Sequence, residues 1–180
     1  GAADQRSRLL SWHPRMALIL LRHGKPQIEA GVCYGQSDVP AKAFDQKDLH
    51  ALVAALPSRF ARIDSSPLIR CTAVAEQLSA HFDLPVHADP RLMEIDFGNW
   101  EMQAWDDIPR HEIDEWAEDI EGARPHGGES VAQMAERVRT YLLDSARIEG
   151  HILAITHLGV VRCVAAALGR PNPFELELGF

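Results

Sequence analysis

The apolar run Ala17-Leu18-Ile19-Leu20-Leu21 ends abruptly in Arg22-His23-Gly24. A guanidinium offers forked donors suited to phosphate or carboxylate, and an imidazole beside it can act as nucleophile or proton carrier. A second run, Ile152-Leu153-Ala154-Ile155, likewise ends in Thr156-His157. Arg70 falls in the first turn expected of a helix, off its apolar stripe, where a cation opposes the macrodipole and an anion alongside would relieve it. Glu94 stands among Leu92, Met93 and Ile95. A carboxyl held against apolar neighbours keeps its proton longer, as a general acid near neutral pH requires. Each residue alone also has a bland reading, because strand ends are often polar and surface arginines and glutamates are common. Two histidines, two arginines and a carboxyl together suit phosphoryl transfer to a histidine. The arginines would neutralise the equatorial oxygens, a neutral imidazole would attack in line, and a carboxylic acid would protonate the leaving oxygen.

Rival chemistries lack their residues. A cysteine-based phosphatase needs an arginine six positions after its cysteine, but Val39, Gln77 and Gly169 follow Cys33, Cys71 and Cys163 at that spacing. No glycine-rich nucleotide motif and no His-Glu-x-x-His occurs, and the acidic residues do not cluster as a metal site. The three cysteines are far apart without a Cys-x-x-Cys pair, which implies neither zinc nor a disulfide framework and makes a reducing, cytoplasmic setting the expectation. Most of the nine histidines read as surface residues, and His111, His126 and His151 have no evident partner. With 26 acids against 18 bases the net charge is −8, which argues against a general nucleic-acid or membrane-surface binder. An anionic substrate would need a local basic pocket. No run approaches the ~18 apolar residues of a membrane helix.

The elements that must position these groups alternate between strand and helix. Strands are expected at 17–21, more weakly at 61–64, at 84–88 and at 151–155. Leu49, Leu52, Val53 and Leu56 mark a helix over 44–56, stopped by Pro57. Ser66-Pro67 reads as N-cap and first helical position of a helix carrying Cys71, Ala75, Leu78 and Phe82. Residues 101–121 read as one or two short helices, and Val131, Met134, Val138, Tyr141 and Leu142 as another. Gly159 to Leu168 forms a last helix closed by Gly169. This order predicts a single α/β domain with helices on both sheet faces. Parallel neighbours would bring His23 and His157 to one rim. The domain spans 16–180, and residues 1–15 are an N-terminal extension, either disordered or cloning-derived.

Four segments in this order resemble the histidine phosphatase superfamily, in the branch that holds the cofactor-dependent phosphoglycerate mutases. They are Leu21-Arg22-His23-Gly24, Ser65-Ser66-Pro67-Leu68-Ile69-Arg70, Leu92 through Glu101, and Thr156-His157-Leu158-Gly159-Val160-Val161-Arg162. The resemblance implies a three-layer sandwich, with a mostly parallel mixed sheet between helices. It implies that His23 becomes phosphohistidine, that Glu94 donates the proton and later activates water, and that Arg22, Arg70 and His157 hold the phosphoryl group. Gln36, Ser37 and Leu158 fall in the regions that flank substrate, and no metal or other cofactor is expected. The loop Gly31–Pro40, the Phe97–Glu101 segment and Gly127-Gly128-Glu129-Ser130 look most like α-ribazole phosphatases, which act on α-ribazole 5′-phosphate in cobalamin biosynthesis. A phosphoglycerate mutase or a broad-specificity small-molecule phosphatase is the enzymatic alternative, and a non-catalytic phosphate-binding module is the alternative of another class. Lys25-Pro26 and Ala41-Lys42-Ala43-Phe44 depart from the family pattern. Relatives continue through a last strand, of which Phe174-Glu175-Leu176-Glu177-Leu178 resembles the start. An incomplete edge would leave the sheet exposed or paired with a second copy in a homodimer. The expected partner is otherwise a small phosphate ester, with neither nucleic acid nor membrane.

Overall fold

The computed structural model describes residues 17–169. The N-terminal extension expected over 1–15 and the strand expected over 174–178 lie outside the described residues. Four strands, β1 (Leu18–Arg22), β2 (Arg62–Ser65), β3 (Val86–Ala88) and β4 (Ile152–Thr156), form one sheet in the order β1-β4-β2-β3. All of these pairs are parallel, with Leu18 opposite Ile152, Arg22 opposite Thr156, and Ser65 opposite Ile155. The carboxyl ends of β1, β4 and β2 therefore reach the same rim, which is where the two histidines were expected to meet.

Strand side chains alternate between faces, and both faces here are apolar, as a covered parallel sheet requires. Ile19, Leu21, Ile63, Leu153 and Ile155 pack under α1 (Gln46–Ala55) and α2 (Ile69–Phe82). Leu18, Leu20 and Ala154 pack against Met134, Val138 and Leu142 of α4 (Val131–Ser145) and Val160 and Val164 of α5 (Leu158–Ala167). The result is the expected three-layer sandwich. Asp64 of β2 is wholly buried on the α4 side. Its carboxylate is paired with Arg62 at 2.7 Å and accepts from the Tyr141 hydroxyl at 2.7 Å, which ties α4 to the sheet.

Two local expectations shift, and the one or two short helices expected over 101–121 are present. The helix read from Ser66-Pro67 begins at Ile69, with Leu68 as N-cap and no side-chain cap bond. Ser66 Oγ accepts from the Leu68 amide at 3.3 Å and also lies 2.8 Å from His157 Nε2, and the Asp38 carboxylate from a distant loop accepts from the Ile69 amide at 2.7 Å. β3 starts only at Val86, because Asp83 closes α2 in the left-handed region at φ 52°. Residues 101–121 contain a 3₁₀ turn at Trp105–Asp107 and α3 (Arg110–Glu118). Trp105, Ile108 and Trp116 of this segment pack with the preceding Trp100 around Cys33. Backbone bonds from Cys33 to Gln103 and from Met102 to Cys33 fix the loop beneath it. Among the described residues no helix is long and apolar enough to cross a membrane.

Candidate active site

His23 directly follows β1 and continues its ladder, its amide donating to the Thr156 carbonyl at 3.2 Å. Its ring is buried, with Nδ1 2.7 Å from the Gly24 carbonyl. A carbonyl only accepts, so this contact assigns the ring proton to Nδ1 and leaves the Nε2 lone pair bare. Burial pushes the imidazole down to about 4, with the charges of Arg70 and Arg22 acting in the same direction. His23 is therefore a neutral base at physiological pH, the form in which an imidazole can attack phosphorus.

His157, just past β4, has its ring centroid 5.1 Å from that of His23. It is wholly buried, and burial holds it well below the ordinary imidazole range. Its Nε2 lies 2.8 Å from Ser66 Oγ and 3.4 Å from Cys71 Sγ. Burial likewise lowers Arg22 and Arg70, yet a guanidinium stays charged in a protein. Arg22 ends β1, in the field of Glu94 and Tyr34. Arg70 is fully buried in the first turn of α2. Its Nη1 donates to the Ser37 carbonyl at 2.8 Å, its Nη2 to the Gly35 carbonyl, and its guanidinium lies over the Tyr34 ring. A guanidinium has five donors, so these two bonds leave others for an anion, and Nε has no hydrogen-bond partner among the described residues.

Glu94 follows the 3₁₀ turn Pro90–Leu92. Its carboxylate accepts from the Ile95 amide at 3.0 Å and from the Gly159 amide, in the first turn of α5, at 3.2 Å. A Cβ on Gly159 would fall on this carboxylate. The Glu94 backbone carbonyl accepts from Gln36 Nε2 at 3.1 Å and from Arg137 at 3.0 Å. Beside Glu94 opens a cavity of about 820 Å³, lined largely by apolar side chains including Phe97, Trp116, Met134, Leu158 and Cys163.

The structure thus gathers His23, His157, Arg22, Arg70 and Glu94 at one sheet rim. Gln36, Ser37 and Leu158 lie around this cluster, but the side chains of Gln36 and Ser37 are turned to protein partners, Ser37 Oγ donating to Glu101 at 2.7 Å. The sequence reading gave no role in the site to several supporting groups: Tyr34, Ser66, Cys71, Glu101, Gly159, and the Arg137–Glu129 ion pair at 2.6 Å. Two histidines also need correction. His126 does have partners: it is buried among aromatic rings, 5.0 Å from that of Trp100, and accepts from the Gly128 amide. His151 accepts from the Ala17 amide at 3.1 Å. Among the described residues no group of three or more histidine, cysteine, aspartate or glutamate side chains could hold a metal ion. The cluster has what phosphoryl transfer to nitrogen needs: an uncharged imidazole, fixed cations and a carboxyl.

Comparison with known proteins points the same way. The model of the histidine phosphatase superfamily (branch 1) matches residues 18–177. An adenosylcobalamin/alpha-ribazole phosphatase of Salmonella typhimurium is 32% identical over 162 residues, covering 85% of this chain and 79% of the relative. A glucosyl-3-phosphoglycerate phosphatase of Mycobacterium tuberculosis is 29% identical over 167 residues, covering 84% of this chain and 74% of the relative. The solved structure of an Escherichia coli K-12 protein superposes with a TM-score of 0.78 at 26% identity, covering 90% of this chain and 85% of that one.

Proposed function

Because the chain belongs to the histidine phosphatase superfamily and is a phosphomonoesterase, we propose that its reaction runs through phosphohistidine on His23. The observation that carries this reading is the 2.7 Å contact of His23 Nδ1 with the Gly24 carbonyl, which leaves Nε2 as the free nucleophile. Nε2 attacks phosphorus, the bond from phosphorus to the ester oxygen breaks, and the Glu94 carboxyl gives its proton to the departing alcohol. Glu94, now a carboxylate, takes a proton from water as that water attacks the phosphohistidine, releasing phosphate and restoring the neutral imidazole. Arg22, Arg70 and His157 hold the phosphoryl oxygens throughout. Leu158 and the Gln36-Ser37 loop flank the substrate. The test is to trap acid-labile protein-bound phosphate after brief exposure to a phosphomonoester. The wild type is expected to label and His23→Ala not to; equal labelling of the two would remove His23 from this role.

The substrate we assign is α-ribazole 5′-phosphate or a similar small phosphate ester. The cavity beside Glu94 supports this reading, since its aromatic and aliphatic lining suits an alcohol with a flat apolar body better than a bare sugar. The named relatives act on more than one ester, so the choice within the class rests on that lining. A phosphomonoester panel tests it, with the highest kcat/KM expected on α-ribazole 5′-phosphate. Equal turnover of simple sugar phosphates or of phosphoglycerates would overturn the assignment.

A further inference from the structure

The most heavily hydrogen-bonded carboxylate near the site belongs to none of the reacting residues. Glu101 Oε2 accepts from the amides of Gly35 at 2.8 Å and Ser37 at 3.4 Å and from Ser37 Oγ at 2.7 Å. Its Oε1 accepts from the amides of Gln36 at 2.8 Å and Phe97 at 3.2 Å. Three successive backbone amides of one loop thus converge on a single side chain. The loop could not approach so closely with a side chain at position 35, where a Cβ would strike the Ile95 carbonyl.

The other side of this same loop meets the phosphate cluster. The carbonyls of Gly35 and Ser37 accept from Arg70, the Tyr34 ring lies against its guanidinium, and Gln36 Nε2 donates to the Glu94 backbone. Peptide planes are rigid, so turning the Gln36 N–H toward Glu101 aims the Gly35 carbonyl of the same plane away from it, at Arg70, and holding the Ser37 amide and hydroxyl on Glu101 fixes the residue whose carbonyl meets Arg70 one plane further on. We propose that Glu101 is a positioning residue for phosphoryl transfer: through the 34–37 loop it sets the orientation of the Arg70 guanidinium and the seat of Glu94, and it does not touch the substrate. The proposal rests on the reading of Arg70 as a phosphate ligand.

A carboxylate is required because every neighbour is a donor. Glu101→Gln would turn an amide NH₂ toward N–H and O–H groups and release one side of the loop. Misplacement of a reacting group by about 1 Å costs on the order of 100-fold in rate, so Glu101→Gln is expected to lower kcat about 100-fold and to weaken competitive inhibition by inorganic phosphate. The decisive measurement is a double-mutant cycle with Arg70→Ala. If Glu101 acts through Arg70, the double variant is no slower than Arg70→Ala beyond the loss due to Glu94. Fully multiplicative losses, or a Glu101→Gln enzyme at wild-type rate, would overturn the proposal. Should Glu101→Gln not fold, as judged by its thermal melt, Glu101→Asp, which keeps the charge but is too short to span both halves of the loop, enters the same cycle with the same two outcomes. An Arg70→Ala enzyme at full rate would overturn the phosphate-site reading itself, and the proposal with it.

Discussion

The site has two halves built by different means. His23, His157 and Arg22 stand on or just beyond β1 and β4, where parallel ladder bonds and the apolar layers on both faces fix the backbone. Tyr34, Gln36, Ser37 and Glu94 stand on irregular segments, where side chains such as Glu101, Arg137 and Glu129 supply the missing hydrogen bonds. A ladder distributes its hold over many peptide groups, whereas a loop pinned by one carboxylate depends on that carboxylate. Loosening the ladders and layers that support the first half should therefore appear mainly as lost stability, and loosening the pins of the second mainly as lost rate in a protein that still folds.

Gly159 tests this contrast where the halves meet, because its amide on α5 donates to the Glu94 carboxylate. Alanine is favoured over glycine in a helix interior by about 1 kcal/mol, so local propensity would tolerate Gly159→Ala. Its methyl would nevertheless occupy the space of the Glu94 carboxylate and press on Met134. The expected result is a loss of about 100-fold in kcat with a melting temperature near that of the wild type. Full activity in this variant would show that Glu94 need not sit where it does, and the contrast would lose its sharpest case.

The strand-borne half makes its own claim about pH. His23 is pushed down to about 4, chiefly by burial, and His157 moves the same way. In the unfolded chain both would titrate near 6.5. Their contribution to stability is thus fully present above pH 6.5 and is lost as pH falls toward about 4, since the unfolded chain binds the proton more readily. An NMR titration of the His23 ring carbons should place its midpoint near 4. A midpoint at the ordinary value would mean that water reaches the ring and that the strands do not seal this half.

The same contrast explains what could be read from the chain. An apolar run ending in His23 or His157 is a local pattern, and the sheet adds only the neighbour. Arg70 was visible because a cation in the first turn of a helix is locally out of place. Glu101 was marked only as the end of the Leu92–Glu101 segment, and its role was not: its partners are mostly backbone amides, which have no side-chain signature. The Ser66 hydroxyl was legible as a local acceptor, and it does take the Leu68 amide, but its second partner, His157, lies 91 positions away. His126 seemed to lack a partner because its surroundings are assembled from Phe97 and Trp100, brought close only when the 97–116 segment wraps around Cys33. What the sequence withheld was long-range pairing of polar groups in loops.

Tyr141→Phe offers the smallest effect and the cleanest control on the strand side. The Tyr141 hydroxyl donates to the wholly buried Asp64 carboxylate at 2.7 Å. Removing it leaves Asp64 its Arg62 partner but strips one charge-assisted bond, worth about 1.5 kcal/mol. For a domain of this size that corresponds to a melting temperature lower by about 4 °C. Asp64 sits in β2, before Ser66 and the phosphate rim, and its ladder bonds to β4 remain. Turnover should accordingly stay within about twofold of the wild type at temperatures well below the melt, as expected of a residue that acts on the sheet alone. A large fall in kcat without a fall in melting temperature would mean that the sheet passes small shifts to His157. The two halves of the site would then be mechanically one.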